Sequence, residues 1–384
     1  MIIKEVSASS IKDSRGDKTI LVTIKTNVGS FKASSPTGKS TGKYEVNCYK
    51  KSIDNDIKTI KSFSEYFSNE NIDSYDDLRR IEDIVDRQIG GNTIFALESA
   101  ALKALAKEKK KQVWQMINEK ASNLPRLVGN CVGGGKHTTS DKKPDFQEFL
   151  LIPDTNSVQE AYEINKKIKK QVEQDLKKRD DNFKAKKNDE NAWVTALNEK
   201  EILDILNKKN ISLGVDIASS GFYKRGKYHY FNPMLDRTEE EQTYYIENLI
   251  KNSKLFYVED PFNEENFESF GKLLKKCPNS LIVGDDLTTT NPTRLKRAID
   301  EKSINAIIVK PNQIGSLIKV KEVCEMARKN NIKMVFSHRS GETDESILAD
   351  LAFGFQADFL KCGIDGKERE AKIKRLIEIE KKTK

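Results

Sequence analysis

Six short apolar runs in the second half of the chain, ISLGVD, LFYVED, LIVGDD, NAIIVK, KMVFSHRS and DFLKCG, each end in residues able to do chemistry. They deliver Asp216, Glu259 with Asp260, Asp285 with Asp286, Lys310, His338 with Arg339 and Ser340, and Lys361. Charge where a strand meets water explains one or two such endings and poorly explains a whole succession. If the runs are barrel strands, their C-terminal ends converge on one mouth, and the expectation is a shared active site.

Asp216, Glu259 and Asp285 supply hard oxygen ligands of the kind Mg²⁺ prefers. Lys310 and Lys361 beside such a cup would be desolvated, which disfavours the ammonium and lowers its pKa toward that of a useful base. Arg339 presents a planar fork for phosphate or carboxylate, Ser340 adds a hydroxyl donor, and His338 falls at the rim of the same pocket. Divalent metal, lysine base and oxyanion donors together suit abstraction of a proton next to a carboxylate.

The elements that position these groups follow from periodicity. Residues 1 to about 50 read as strands, with TILVTIKT alternating and Asn27 to Gly29 a turn. From there to about 118 the pattern is helical, in SYDDLRRIEDIVDRQI and in IFALESAALKALAKEKKKQVWQMI. This predicts an α+β unit over 1–122. Beyond it, over 123–384, short strands alternate with helices. One helix is capped by Asn291 and Pro292, and another places Leu317, Val320, Cys324 and Ala327 on one face, the signature of an α/β barrel.

Composition narrows the class. The 384 residues are 37% apolar and 33% charged, and no apolar run approaches the roughly 18 residues of a membrane span. MIIKEVSASSIKD lacks a secretory pattern, so the expected location is the cytoplasm. Five scattered cysteines without a C-x-x-C pair predict free thiols rather than disulfides or structural zinc. The net charge of +8 is spread among interleaved acids, which argues against a nucleic-acid partner.

The segments IKDSRGDKT, DFQEFLLIP, GVDIASSGFYKRGKY, VEDPF, GDDLTTTNP, KPNQIG and SHRSGET, in this order, resemble the enolases from one end of the chain to the other. The lysine-plus-Mg²⁺ arrangement is already established for the enolase superfamily and is recognised here rather than derived. The resemblance implies an irregular eight-stranded α/β, TIM-like barrel with an N-terminal α+β capping domain. It also implies two Mg²⁺ ions per site, a homodimer or higher homo-oligomer, and interconversion of 2-phosphoglycerate and phosphoenolpyruvate. By matching motif, Asp216, Glu259 and Asp285 bind the first Mg²⁺ and Lys310 is the base. Arg339 and Ser340 bind phosphate, Lys361 meets the substrate carboxylate, and His338 lines the pocket beside the phosphate donors.

Loops contribute further residues. His137, Gln147 and Glu148 in GGGKHTTSDKKPDFQEF match the family's histidine and Gln-Glu pair, in a slightly longer loop. NDENAW stands in place of G-D-E-G-G and makes Glu190 the expected general acid, although Asn191 and Ala192 replace both following glycines. SPTGKSTG stands where the family has S-G-A-S-T-G, giving Ser40 to the second Mg²⁺ and adding Lys39. Ala33 to Ser40 also nearly spells a P-loop, which would require a helix opening at Lys39. The competing readings are an enolase-like protein acting on another hydroxyacid, a catalytically silent relative, and a nucleotide-binding protein.

Overall fold

The computed structural model describes residues 1–39 and 41–384, so the expectation for Ser40 lies outside the described residues. The chain opens with an antiparallel sheet of β1 (Ile3–Lys12), β2 (Lys18–Thr26) and β3 (Gly29–Ser34). Along β2 the period of two buries Ile20, Val22 and Ile24 while Leu21 and Thr23 stay half-exposed. Helices Ile53–Phe67 and Gly91–Glu108 cover this sheet, and Leu78–Val85 packs against both.

Two helices are shorter than their apolar pattern predicts. The one expected across Ser74 to Ile89 is held to Leu78–Val85, because Asp86 and Arg87 take positive φ and end it. The other stops at Glu108, where Lys110 turns left-handed within a lysine run, and only a 3₁₀ turn at Val113–Met116 follows. KYEVNCY, expected extended, forms turns.

A closed barrel follows. Its strands are β4 (Arg126–Gly133) and β5 (Glu148–Ile152), with β6 (Trp193–Val194) a short addition on β4, then β7 (Ser212–Asp216). A separate antiparallel sheet of β8 (Tyr223–Lys224), β9 (Lys227–Phe231) and β10 (Met234–Arg237) intervenes. The barrel resumes with β11 (Tyr257–Glu259), β12 (Leu281–Gly284), β13 (Ala306–Val309), β14 (Lys333–Ser337) and β15 (Phe359–Lys361), and β15 pairs with β4 to close it. β5 runs antiparallel to both neighbours and the remaining barrel pairs are parallel, which makes the barrel irregular as expected.

Val128, Leu150, Ile152, Tyr257, Val283, Ala306, Ile308, Val335 and Phe359 fill the barrel interior, so its centre is a packed core and chemistry is confined to the mouth. The outer helices use the predicted devices. Asn291 Oδ1 accepts from the Thr293 and Arg294 amides at the start of Pro292–Asp300, and Leu317–Lys329 buries Leu317, Val320, Cys324 and Ala327. All five cysteines are free thiols. Among the described residues, no helix is long and apolar enough to cross a membrane.

Candidate active site

Strand register gathers the acidic half of the mouth. Asp216 at the end of β7 is paired with Glu148 on β5 and with Glu259 on β11, so three carboxylates from three adjacent strands share one level. The Lys361 ammonium at the end of β15 lies 3.0 Å from Asp216 Oδ2, 2.8 Å from Glu259 Oε2 and 3.4 Å from Glu148 Oε2. Its partners here are protein carboxylates, whereas the sequence expectation gave it to the substrate. Tyr257, two residues back on β11, donates its hydroxyl to Glu259 Oε2 at 2.6 Å.

Asp285, just beyond β12, accepts from Lys310 Nζ and from Gln313 Nε2 at 3.0 Å. Its backbone is placed by Asp260, whose two carboxylate oxygens accept the Asp285 and Asp286 amides at 3.0 and 2.7 Å. Potential ligand atoms of Asp260, Asp285 and Asp286 all lie within 4.8 Å of one another, a grouping the motif reading did not anticipate. Burial is the largest single influence on Lys310 and works to lower its pKa, while the Asp285 and Glu259 charges work against it, and the ammonium is held above its ordinary value.

The donors are carboxylate oxygens, the chemistry a hard divalent cation takes, although Asp216, Glu259 and Asp285 are not gathered within 4.8 Å as Asp260, Asp285 and Asp286 are, and Lys361 bridges Asp216 and Glu259. Burial together with the neighbouring Asp216 charge pushes the Glu259 carboxyl up to about 8. Glu259 Oε1 is buried with no hydrogen-bond partner among the described residues. A cation shared by Asp216, Glu259 and Asp285 would satisfy that oxygen and offset the crowding of like charge.

Glu190 lines the same pocket. Its Oε1 lies 3.7 Å from His137 Nδ1, its Oε2 lies 3.6 Å from His338 Nε2, and Asn130 Nδ2 donates to Oε2 at 3.0 Å. Burial alone would raise this carboxyl. The two histidines, Arg369 and the Asn130 hydrogen bond reverse that and hold it below the ordinary carboxylate range. Glu148, within ligand reach of His137 and Glu190, moves the other way, raised by burial and by the Glu190 charge. Burial lowers both His137 and His338, against the Glu190 charge, which works to raise them. Two adjacent carboxyls with opposed shifts form an acid pair.

The replaced glycines beside Glu190 have a local explanation. Asn191 adopts the positive φ of 63° that a glycine would otherwise supply, and asparagine tolerates it. Asn188 Oδ1 accepts the Glu190 and Ala192 amides at 3.0 and 2.9 Å, so a side chain fixes the turn.

The N-terminal segment reaches across to close the mouth. Thr37 and Gly341 exchange two backbone hydrogen bonds of 2.7 and 2.9 Å. A Cβ at Gly341 would fall 2.0 Å from Asp13 Oδ2, so only glycine permits this approach. Arg339 Nη1 and Nη2 donate to Glu45 at 2.9 and 3.2 Å, in a pair whose side chains are 3% and 5% exposed. Ser340 Oγ accepts from the Lys39 amide at 2.8 Å and from Arg15 Nη1 at 3.1 Å. Lys39 Nζ pairs with Asp189 Oδ2 at 2.8 Å. Among the described residues no helix opens between 35 and 52, so the P-loop alternative fails: the Lys39 amide is spent on Ser340 rather than on a phosphate cradle.

The mouth therefore brings together Glu148, Glu190, Asp216, Asp285, Lys310, His137, Gln147, His338, Arg339, Ser340 and Lys361 around one pocket, with Glu259 hydrogen-bonded to Lys361 behind it. Sequence reasoning missed Arg15, Glu45, Asn130 and Arg369. Arg15 falls inside the quoted IKDSRGDKT segment, which was a usable signal, while the others carry no motif of their own.

Comparison with known proteins adds independent findings. Residues 3–117 match the family described as enolase, N-terminal domain, and residues 121–384 match enolase, C-terminal TIM barrel domain. The chain is 35% identical over 404 residues to the enolase of Methanosphaera stadtmanae, covering 99% of this chain and 97% of that one. It is 33% identical over 401 residues to the enolase of Natronomonas pharaonis, covering 99% of both. With the enolase of Pyrobaculum aerophilum it shares 34% over 409 residues, 99% of this chain and 96% of that one. Barrel, mouth and near-complete coverage at about a third identity agree, and the chain belongs to the enolase family of hydro-lyases.

Proposed function

We propose that the protein catalyses the Mg²⁺-dependent, reversible dehydration of 2-phosphoglycerate to phosphoenolpyruvate. The observation that carries this is that Lys310, held by Asp285, and the Glu148–Glu190 acid pair line one pocket. Lys310 Nζ takes the proton from C2 of the substrate, and the C3–O bond then breaks as the departing hydroxide receives a proton from the acid pair and leaves as water. Asp285, which accepts a hydrogen bond from Lys310, is also a carboxylate that would hold a cation, and sharing it would weaken its hold on the Lys310 proton. Glu190 and the adjacent Glu148 together supply that proton.

Arg339 and Ser340 bind the phosphate, and Lys361, already spaced among three carboxylates, offers its remaining N–H to the substrate carboxylate. His137, Gln147 and His338 orient the substrate and exclude water. Asp216, Glu259 and Asp285 would hold one Mg²⁺, with Ser40 assigned to a second. The ions supply positive charge against the ene-diolate that forms at the substrate carboxylate. A cytoplasmic location and a homodimer as the smallest unit belong to the same proposal. Turnover of 2-phosphoglycerate by purified protein, with Mg²⁺ and with excess chelator, tests the reading: metal-dependent formation of phosphoenolpyruvate is expected, and no turnover at saturating Mg²⁺ would refute it.

A further inference from the structure

The last helix, Lys367–Thr383, is crowded with charge, yet one of its arginines points inward: Arg369 is one of the largest fully buried side chains among the described residues. Its Nη2 donates to two backbone carbonyls, Ser340 O at 2.7 Å and Asp189 O at 3.2 Å, and its Nη1 donates to Ser14 Oγ at 3.1 Å. One guanidinium thereby joins three segments distant in sequence. Ser340 follows the phosphate-binding Arg339, Asp189 precedes Glu190, and Ser14 belongs to the turn between β1 and β2. Ser14 is itself fixed to the same barrel loop, its amide donating to Glu342 O at 2.7 Å and its hydroxyl accepting from the Glu342 amide at 3.0 Å.

The ground beneath Arg369 is built to admit it. Gly363 has φ of +75°, and a Cβ there would stand 2.9 Å from Arg369 Cγ and 3.7 Å from Glu190 O. A Cβ at Gly366 would meet Asn191 Nδ2 at 2.2 Å. The loop bearing Glu190 thus rests on the turn that leads into the last helix. Neither Lys310 nor Asp285 makes a hydrogen bond to Arg369.

We infer that Arg369 is a positioning residue for the acid half of the reaction, setting the separation between the Glu190 loop and the Arg339–Ser340 turn through their carbonyls. The inference rests on the proposed dehydration. A carbonyl-bridging planar fork fixes distance as well as charge, and a lysine, whose compact ammonium lacks that fork, reproduces only the charge. Displacing an acid by an ångström from its leaving group is enough to cost about 10²-fold in rate.

The test compares wild type with Arg369→Met and Arg369→Lys, each first checked for a cooperative thermal transition. Two rates are read with 2-phosphoglycerate and Mg²⁺: net dehydration, and exchange of the C2 hydrogen with deuterated solvent. Amide hydrogen exchange of segments 186–194 and 306–316 is followed in the free protein. Both variants are expected to lose about 10- to 100-fold in dehydration, hold C2 exchange within about 3-fold, and speed amide exchange in 186–194 but not in 306–316.

Equal loss of both rates, full recovery of dehydration in Arg369→Lys, or amide exchange accelerated alike in both segments would overturn the inference. So would failure of both variants to fold, which would make Arg369 a core stabiliser. If wild type itself does not act on 2-phosphoglycerate, the proposed function fails, and the amide-exchange arm still decides whether Arg369 tethers the loop.

Discussion

Replacing Glu45 by glutamine separates the structural and substrate-binding demands on Arg339. The two side chains form a buried ion pair at 2.9 and 3.2 Å, and Glu45 Oε1 also accepts the Gly42 amide at 2.9 Å, tying the segment after Lys39 to the barrel mouth. Breaking a buried pair by removing one charge costs about 3–5 kcal/mol, and an amide that keeps the acceptor oxygen places Glu45→Gln near the lower end, about 3 kcal/mol. An unfolding entropy of about 2.1 cal/mol/K per residue gives about 0.8 kcal/mol/K for a chain of this length, so the midpoint should fall by about 4 °C. If Arg339 is the phosphate ligand, anion binding supplies the charge that Glu45 no longer does. Saturating 2-phosphoglycerate with Mg²⁺ should then raise the midpoint of Glu45→Gln more than that of wild type, closing at least about half of the gap. Differential scanning calorimetry of both proteins, with and without ligand, reads this directly. A ligand-free midpoint unchanged by the substitution, or an equal ligand-induced rise in both proteins, would refute the reasoning.

Three further substitutions probe the mouth. Asp285→Asn, which removes an expected metal ligand and the partner of Lys310, should lower turnover by at least about 10³-fold at saturating Mg²⁺, measured as phosphoenolpyruvate formation. Gly341→Ala puts a Cβ 2.0 Å from Asp13 Oδ2 and 2.5 Å from Thr37 Oγ1, and urea unfolding should show a loss of about 1–3 kcal/mol. Lys39→Ala removes a pair with Asp189 whose side chains are 35% and 27% exposed. Such pairs contribute about 0–1 kcal/mol, so KM should rise by no more than about 5-fold with C2 exchange intact, and calorimetry should detect no binding of ATP to wild type or variant.

Much of this was legible because chemistry and secondary structure end at the same residues. The six apolar runs became β7 and β11 to β15, and their polar termini became the mouth. The strands β4 and β5 were less visible. β5 is EFLLI, buried along its whole length, and such a run lacks the alternation that marks a half-exposed strand. The pairing of Lys310 with Asp285 was not legible, because it depends on which strands become neighbours. Arg369 was hidden by its context, since KEREAKIKRLIEIEK offers a basic residue at nearly every turn and nothing local says which one points inward. Asn191, read as a disruption of the Glu190 motif, supplies the backbone conformation of the glycine it replaces.

The central claim is that proton abstraction and loss of hydroxide are carried by different residues of one mouth. Exchange of the C2 hydrogen of 2-phosphoglycerate with deuterated solvent, followed by NMR beside phosphoenolpyruvate formation in wild type, Lys310→Ala and Glu190→Gln, tests it most directly. The account predicts Mg²⁺-dependent exchange and dehydration in wild type, neither in Lys310→Ala, and exchange without appreciable dehydration in Glu190→Gln. Exchange that persists in Lys310→Ala, or dehydration undiminished in Glu190→Gln, would contradict it.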